Sequence, residues 1–221
     1  MFLSRLFLNP RRRGTRFLLA SPQRVHAAVL SSFSPDDDPG RVLWRLDTSA
    51  ERTELLVVSW VEPSFEHIVE EAGWATAPGE SAPYQPFLDA LRPGQRWRFR
   101  LTANPVVSRR REPDSRGRPS PELSASRQLE WMLLRSERHG FTVPPTSLGV
   151  PDAAVTSRGV HRFSRRSDDQ TRQVEVTWAQ YDGHLEVADV AMLRTVLTTG
   201  LGKARAYGCG LLTLAPVVHR P

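Results

Sequence analysis

Apolar residues recur along this chain at two spacings, and each change of spacing marks a change of element. FLSRLFL (2–8) reads as a strand. Ser21 and Pro22 then provide a helix start, with serine as cap and proline at the first helical position. Val25 and Val29 supply the core stripe of that helix, which should run to about Phe33. RVLWRLD (41–47) alternates through Val42, Trp44 and Leu46, and ELLVVSW (54–60) is a continuous run of the buried-strand kind. A short helix over about 64–72 closes this group, and the Ala, Pro, Gly and Ser-rich stretch from 75 to 86 reads as a linker.

The second half opens with QRWRFRLTANP (95–105), which places Trp97, Phe99 and Leu101 on one face and Arg96, Arg98 and Arg100 on the other. Residues 105–121 lack periodicity and are expected to form a mobile basic loop. A helix follows over about 124–138, with Leu129, Met132 and Leu133 as its stripe. Strands are expected near 154–163 and 172–181, joined by the polar SRRSDD turn of a projecting hairpin. HLEV adds a short strand, a helix from Asp189 to about Thr199 leads into a glycine-rich loop, and LLTLAP closes as a strand. Each half therefore runs strand, helix, strand, strand, helix, with the last strand clear only in the second. This order predicts an α+β protein of two tandem ferredoxin-like (RRM-like) βαββαβ domains, over residues 1–88 and 92–217. The aromatic signature of the RNA-recognition motif is absent from the expected sheets, so base stacking on a sheet is not supported.

Charge changes the picture more than composition does. The net charge is +6, yet residues 92–118 alone hold nine arginines against two acids. Residues 1–35 hold six arginines and no acid, whereas 51–90 hold eight acids against one arginine. Cationic stretches of this kind suit a polyanion, and the acidic block is expected to face away from it. Because 29 of the 30 cations are arginine, a solvated basic face remains an equal reading on charge alone. The single cysteine, Cys209, allows no internal disulfide, and no stretch approaches a membrane span, so a cytoplasmic location is expected with no membrane partner.

GLGKARAYGCGLL (200–212) contains the only lysine, Lys203. It is not expected to be a nucleotide loop, because only 11 residues follow Gly210, too few for a phosphate-binding helix after it, and the glycine spacing matches neither established pattern. Its glycines suit close backbone approach to phosphate, or a tight helix-to-strand turn packed under the sheet. Ligand spacing for zinc or magnesium is absent, so no cofactor or metal is expected. A nuclease without metal can cut RNA, because RNA carries its own nucleophile in the 2′-hydroxyl. Of the six histidines, His67, His139, His184 and His219 read as surface residues, and His161 lies in a basic strand where it could touch RNA. His26 sits beside the core stripe of the first helix, and periodicity alone favours a partly buried structural histidine over a catalytic one.

The strand ending in LNP, the helix with SPQRVH, RFRLTANP, the helix with EWMLLR and the terminal GLGKARAYGCGLLTLAP together resemble the CasE (Cse3) family, in the same order and over nearly the whole chain. These are the repeat-cleaving endoribonucleases of type I-E CRISPR systems. The resemblance implies a tandem ferredoxin-like protein that binds the hairpin of each repeat in precursor RNA. It implies metal-independent cutting at the 3′ base, leaving a cyclic or 3′-phosphate and a 5′-hydroxyl, and retention of the product within the Cascade complex alongside its other subunits. His26 falls on the family's catalytic histidine, as general base or acid. The family often has a tyrosine three residues earlier, where this chain has Gln23, which cannot donate a phenolic proton. Slow, nearly single-turnover cleavage is the corresponding expectation, and a non-catalytic hairpin-binding subunit is the alternative. Expected RNA contacts are Gln23, Arg24, Arg96, Arg98, Arg109, Arg158, Arg162, Arg165, Arg166, Gly202, Lys203, Arg205, Gly208 and Gly210. The rival reading of the 162–166 arginines is an ordinary charged turn, and that of 96–111 a solvated strand face and loop.

Overall fold

A computed structural model describes residues 1–49, 52–109, 118–167 and 170–217. Its first half contains β1 (Phe2–Leu8), α1 (Arg13–Leu19), α2 (Pro22–Leu30), β2 (Leu43–Thr48), β3 (Thr53–Ser59), α3 (Glu66–Ala72), β4 (Glu80–Pro83) and α4 (Gln85–Ala90). The strands form one sheet in the order β2-β3-β1-β4, the ferredoxin-like order, with every pairing antiparallel. Ser21 caps α2 as its sequence predicts, its Oγ accepting the Gln23 N–H at 3.3 Å. The expected linker contains β4, which pairs with β1 at the sheet edge. Its residues, ESAP, carry little hydrophobic signal, and an edge position tolerates its proline. The helix α1, hidden in an arginine-rich run, is held by burial of Thr15 and Leu18 and by the Thr15 hydroxyl donating to the Ala72 carbonyl at 2.8 Å.

The second half contains β5 (Arg96–Ala103), β6 (Val106–Arg109), β7 (Arg118–Pro121), α5 (Ala125–Ser136), β8 (Phe141–Thr142), β9 (Ala153–Ser167), β10 (Gln170–Val187), α6 (Val190–Thr199) and β11 (Leu212–Pro216). The sheet runs β11-β5-β10-β8, with β9 also paired to β10, so the tandem ferredoxin-like architecture is complete. Part of the expected mobile loop is instead the paired base of a hairpin, β6 with β7. The HLEV strand is the continuation of β10. Because β5 pairs with β10 only from Ala179 to Glu186, residues 170–178 extend beyond the sheet with β9 as a two-stranded ribbon. The helix α4 follows the first sheet in sequence, yet Tyr84, Leu88 and Leu91 pack into the second core.

The halves are joined through β2. Trp44 faces the first core beneath α2, while Leu43 joins the second core. Arg45, also on the second face, is 1% exposed. All five of its N–H donors have acceptors. Nε and Nη2 grip the Asp47 carboxylate at 2.7 and 2.8 Å, Nη2 also reaches Thr213 Oγ1 at 2.8 Å, and Nη1 donates to the carbonyls of Arg100 and Leu211 at 3.0 Å each. Removing one partner of such a buried pair costs about 3–5 kcal/mol, here toward the lower end because Arg100 stays 3.6 Å from Asp47. Arg45→Met is therefore expected to lower the thermal midpoint by roughly 10 °C, read by calorimetry; an unchanged midpoint would show that the halves hold together without this side chain.

Candidate RNA-cleavage site

The helix α2, which carries His26, lies against the one-turn 3-10 segment Arg205–Tyr207 of the glycine loop, although nearly the whole chain separates the two elements. His26 is half-buried on α2, and the Trp44 indole N–H points to its Nδ1 at 3.4 Å. Gly208 explains how Trp44 reaches that position. Its φ of 78° lies in the left-handed region, and a Cβ there would stand 2.7 Å from the Trp44 ring. Only glycine lets the loop pass so close to the indole.

The loop is a packed structure. The N–H groups of Leu201, Tyr207, Gly208, Cys209 and Gly210 all donate to protein carbonyls, Gly210 to Thr102 at 2.6 Å. These five amides are committed within the protein. Gly202 backs onto Trp131, and Lys203, whose backbone bridges to Asn104, is exposed. Arg205 donates from Nη2 to the Gly200 carbonyl at 3.0 Å. Burial, and then the positive charge of Arg41, lower its pKa. Cys209 is buried and its thiol is pushed up to about 12 by burial, which leaves it protonated and inert at neutral pH.

The other expected contacts divide. Gln23 lies half-buried one helical turn before His26, on the same face. Arg24 turns toward α1, its guanidinium 4.0 Å over the Phe17 ring and donating to the Phe17 carbonyl at 3.0 Å. Arg158 and Arg162 are exposed on β9, the first donating to the Leu123 carbonyl at 2.5 Å and the second paired with Glu175 at 2.9 Å. For Arg109, Arg165 and Arg166 only the backbone is described, on β6 and on β9. Arg110, Arg111, Arg116 and His219 lie outside the described residues. Arg96 and Arg98 stand at the far end of β5, about 20 Å or more from where Asn104 meets the loop, and Arg96 is paired with Glu186 at 2.9 Å. The structure therefore does not bring these two together with His26. His184, on β10, is half-buried, its Nδ1 2.9 Å from an Asp152 carboxylate oxygen.

Two clefts open between the halves, and their charge differs. The larger, about 1120 Å3, faces Arg5, Arg45, Arg98 and Arg100 but also Asp47, Glu54, Glu80, Asp152 and Asp182. Burial alone would raise the Asp182 carboxyl, but hydrogen bonds from Arg100, Thr156 and Gln180 outweigh it and hold the group below its usual range. This cleft is charge-balanced. The smaller, about 530 Å3, lies beside Trp44 and the loop and has no acidic residue in its lining. Trp44, Tyr207, His161 and Trp178 border it, and of these the sequence suggests only His161 as an RNA contact. Trp44 shows in the sequence only as one core position of an alternating strand, and no local signal brings the other three together.

Among the described residues, no group of three or more His, Cys, Asp or Glu side chains is placed to hold a metal ion, and no helix is long and apolar enough to cross a membrane. Comparison with known proteins agrees with the geometry. The family model described as "CRISPR associated protein" matches residues 1–216. The CRISPR-associated endoribonuclease Cse3 of Thermus thermophilus is 31% identical over 98% of this chain and 100% of its own length. A structure of CRISPR endoribonuclease Cse3 bound to a 19-nt RNA superposes with a TM-score of 0.79 at 29% identity, covering 98% of this chain and 100% of that one. Thermus thermophilus Cse3 bound to an RNA representing a pre-cleavage complex gives a TM-score of 0.74 at 30% identity, with coverage of 97% and 98%. Matched in this way along its length in sequence and in fold, the chain belongs to the CRISPR-associated protein family, in its Cse3 (CasE) branch.

Proposed function

We propose that this chain is a metal-independent endoribonuclease that grips the hairpin of a CRISPR repeat and cuts the RNA at the 3′ base of the stem. The observation that carries the proposal is the packing of α2, the helix of His26, against the glycine loop beside a cleft lined by no acid, in a chain 31% identical to an endoribonuclease. RNA phosphates favour that side over the larger cleft, where Arg5, Arg45 and Arg100 are each paired with an acid.

The chemistry follows from RNA's own nucleophile. The 2′-oxygen beside the cut attacks phosphorus in line, the P–O5′ bond breaks, and the products are a 2′,3′-cyclic phosphate, which water can open to a 3′-phosphate, and a 5′-hydroxyl. One proton leaves the 2′-hydroxyl and one reaches the departing O5′. His26 serves one of these transfers. Because the Trp44 indole N–H is directed at Nδ1, the exchange with RNA falls to Nε2. Lys203 and Arg205 supply positive charge toward the pentavalent phosphorane, and Gln23 offers a hydrogen bond where a phenol would offer a proton. The projecting β9–β10 ribbon, with Arg158, Arg162, Arg165 and Arg166, holds the stem by its shape and phosphates. The product stays bound and passes with the protein into the Cascade assembly.

Replacing the proton carrier, His26→Ala, should slow single-turnover cleavage by about 10²–10⁴ while hairpin affinity in a filter-binding assay stays close to wild type; cleavage at the wild-type rate removes His26 from the mechanism. In EDTA the repeat hairpin should still be cut, and the same RNA with a 2′-deoxy at the cleavage nucleotide should bind and stay intact. Equal cutting of both would overturn the 2′-hydroxyl mechanism, and binding without cutting of either would make the chain a binding subunit. Lys203→Ala should weaken binding and reduce the salt slope of the affinity by about one; an unchanged slope would place Lys203 off the RNA.

A further inference from the structure

The smaller interdomain cleft lies beside the reacting groups, yet its lining is unsuited to phosphate. It carries no charged side chain. Aromatic rings and hydroxyls make up much of its wall: His161 and Trp178 stack at 5.6 Å with planes 19° apart, and Thr102, Thr156 and Ser157 are placed around them. Its volume, about 530 Å3, falls within the range of small-molecule pockets.

We infer that this pocket is a nucleobase site, which takes one unstacked base of the bound RNA next to the cut and stacks it against the His161–Trp178 pair. The inference rests on the proposed function and names a contact that reading does not contain. Four observations converge on it. Gly159 stands opposite Trp178 in the β9–β10 ladder, where a Cβ would come within 3.0 Å of the indole, so the absence of a side chain lets the ring lie flat across the strand. Burial depresses the His161 pKa, which keeps its imidazole neutral and suited to stacking at physiological pH. Tyr207 is held edge-on to Phe163 at 4.9 Å, and the protonated Cys209 thiol forms the neighbouring wall. Trp44 borders this pocket and also directs its N–H at His26, so a base seated here lies one side chain away from the proton carrier.

The chemistry calls for such a site. Continuous A-form stacking holds the 2′-oxygen out of line with the P–O5′ bond, and in-line attack requires the nucleotides at the cut to swing apart. A pocket that stacks the displaced base offsets the loss of its neighbours in the helix. Polar groups at the rim, including Gln180, whose amide already donates to Thr156 Oγ1 at 3.0 Å, can then meet the edge of the base.

The test uses the full-length protein and the repeat hairpin carrying a 2′-deoxy at the cut, with the base removed at one nucleotide at a time on either side of it. Affinities are measured for wild type, for His161→Ala, and for Ser157→Phe, which fills the pocket from an exposed rim position; circular dichroism confirms that each variant is folded. One abasic position should weaken wild-type binding about tenfold. Both variants should lose a similar factor on the intact hairpin and show little further loss on that abasic RNA. If every abasic RNA binds wild type as tightly as the intact one, or if the loss persists in full in both variants, the pocket is not a base site. Continued binding of the intact hairpin, with cutting of its all-ribose form, would then leave the proposed function standing, whereas no binding of the intact hairpin sinks both.

Discussion

Arg45 and Trp44 are neighbours on one strand and point to opposite faces, and this pair sets the geometry of everything else. Arg45 satisfies two of its five donors on Asp47 of its own strand and three in the second half, on Thr213 and the carbonyls of Arg100 and Leu211. Trp44 turns the other way, under α2, and meets both His26 and Gly208. Because the side chains alternate along a strand, fixing Arg45 in the second domain fixes where Trp44 presents His26 to the glycine loop. A buried guanidinium is a poor source of net stability, since its desolvation cancels much of the attraction. Its three directional bonds across the boundary, to Thr213 and the carbonyls of Arg100 and Leu211, instead specify one relative placement of the two halves. The chain of charge continues outward, with Arg100 3.6 Å from Asp47 and 2.6 Å from Asp182.

That placement divides the space between the domains into two clefts with different chemistry. Where Arg45 and Arg100 find their acids, the cleft is charge-balanced and has little attraction for a polyanion. Past Trp44, the lining has no acid, and Arg41, Lys203 and Arg205 lie on the loop side of the molecule. On the proposed reading, RNA is drawn to the side where the histidine is. Arginine-rich segments are also placed differently: Arg96 and Arg98 share the charge pattern of the β9 arginines but stand at the end of β5 away from the glycine loop.

Much of the fold was legible because strand alternation and helix caps are local signals. The α2 start at Ser21-Pro22, the α6 start at Asp189, whose carboxylate accepts the Met192 N–H at 2.9 Å, and the projecting ribbon all follow from them. What was not legible depends on partners distant in sequence. The strand β4 has almost no apolar residues and exists because β1 offers an edge. Arg45 reads as a solvated residue on the polar face of a strand, and nothing near it reveals that β5 and β11 will cover it. Within the site, His26 and the loop were found through motif order rather than periodicity, whereas the pocket of Trp44, His161, Trp178 and Tyr207 comes from four separate segments and has no linear signature. The loop's glycines were legible as special, but their main use is to pack against Trp44, Trp131 and Thr102.

The central claim is that the scissile phosphate lies where α2 meets the glycine loop. A structure of the protein with its repeat hairpin, held intact by a 2′-deoxy at the cut, tests it most directly. The account predicts that phosphate within hydrogen-bond reach of His26 Nε2, with Lys203 or Arg205 on its other side. A phosphate seated instead in the larger cleft among Arg98, Arg100 and Asp182 would contradict it.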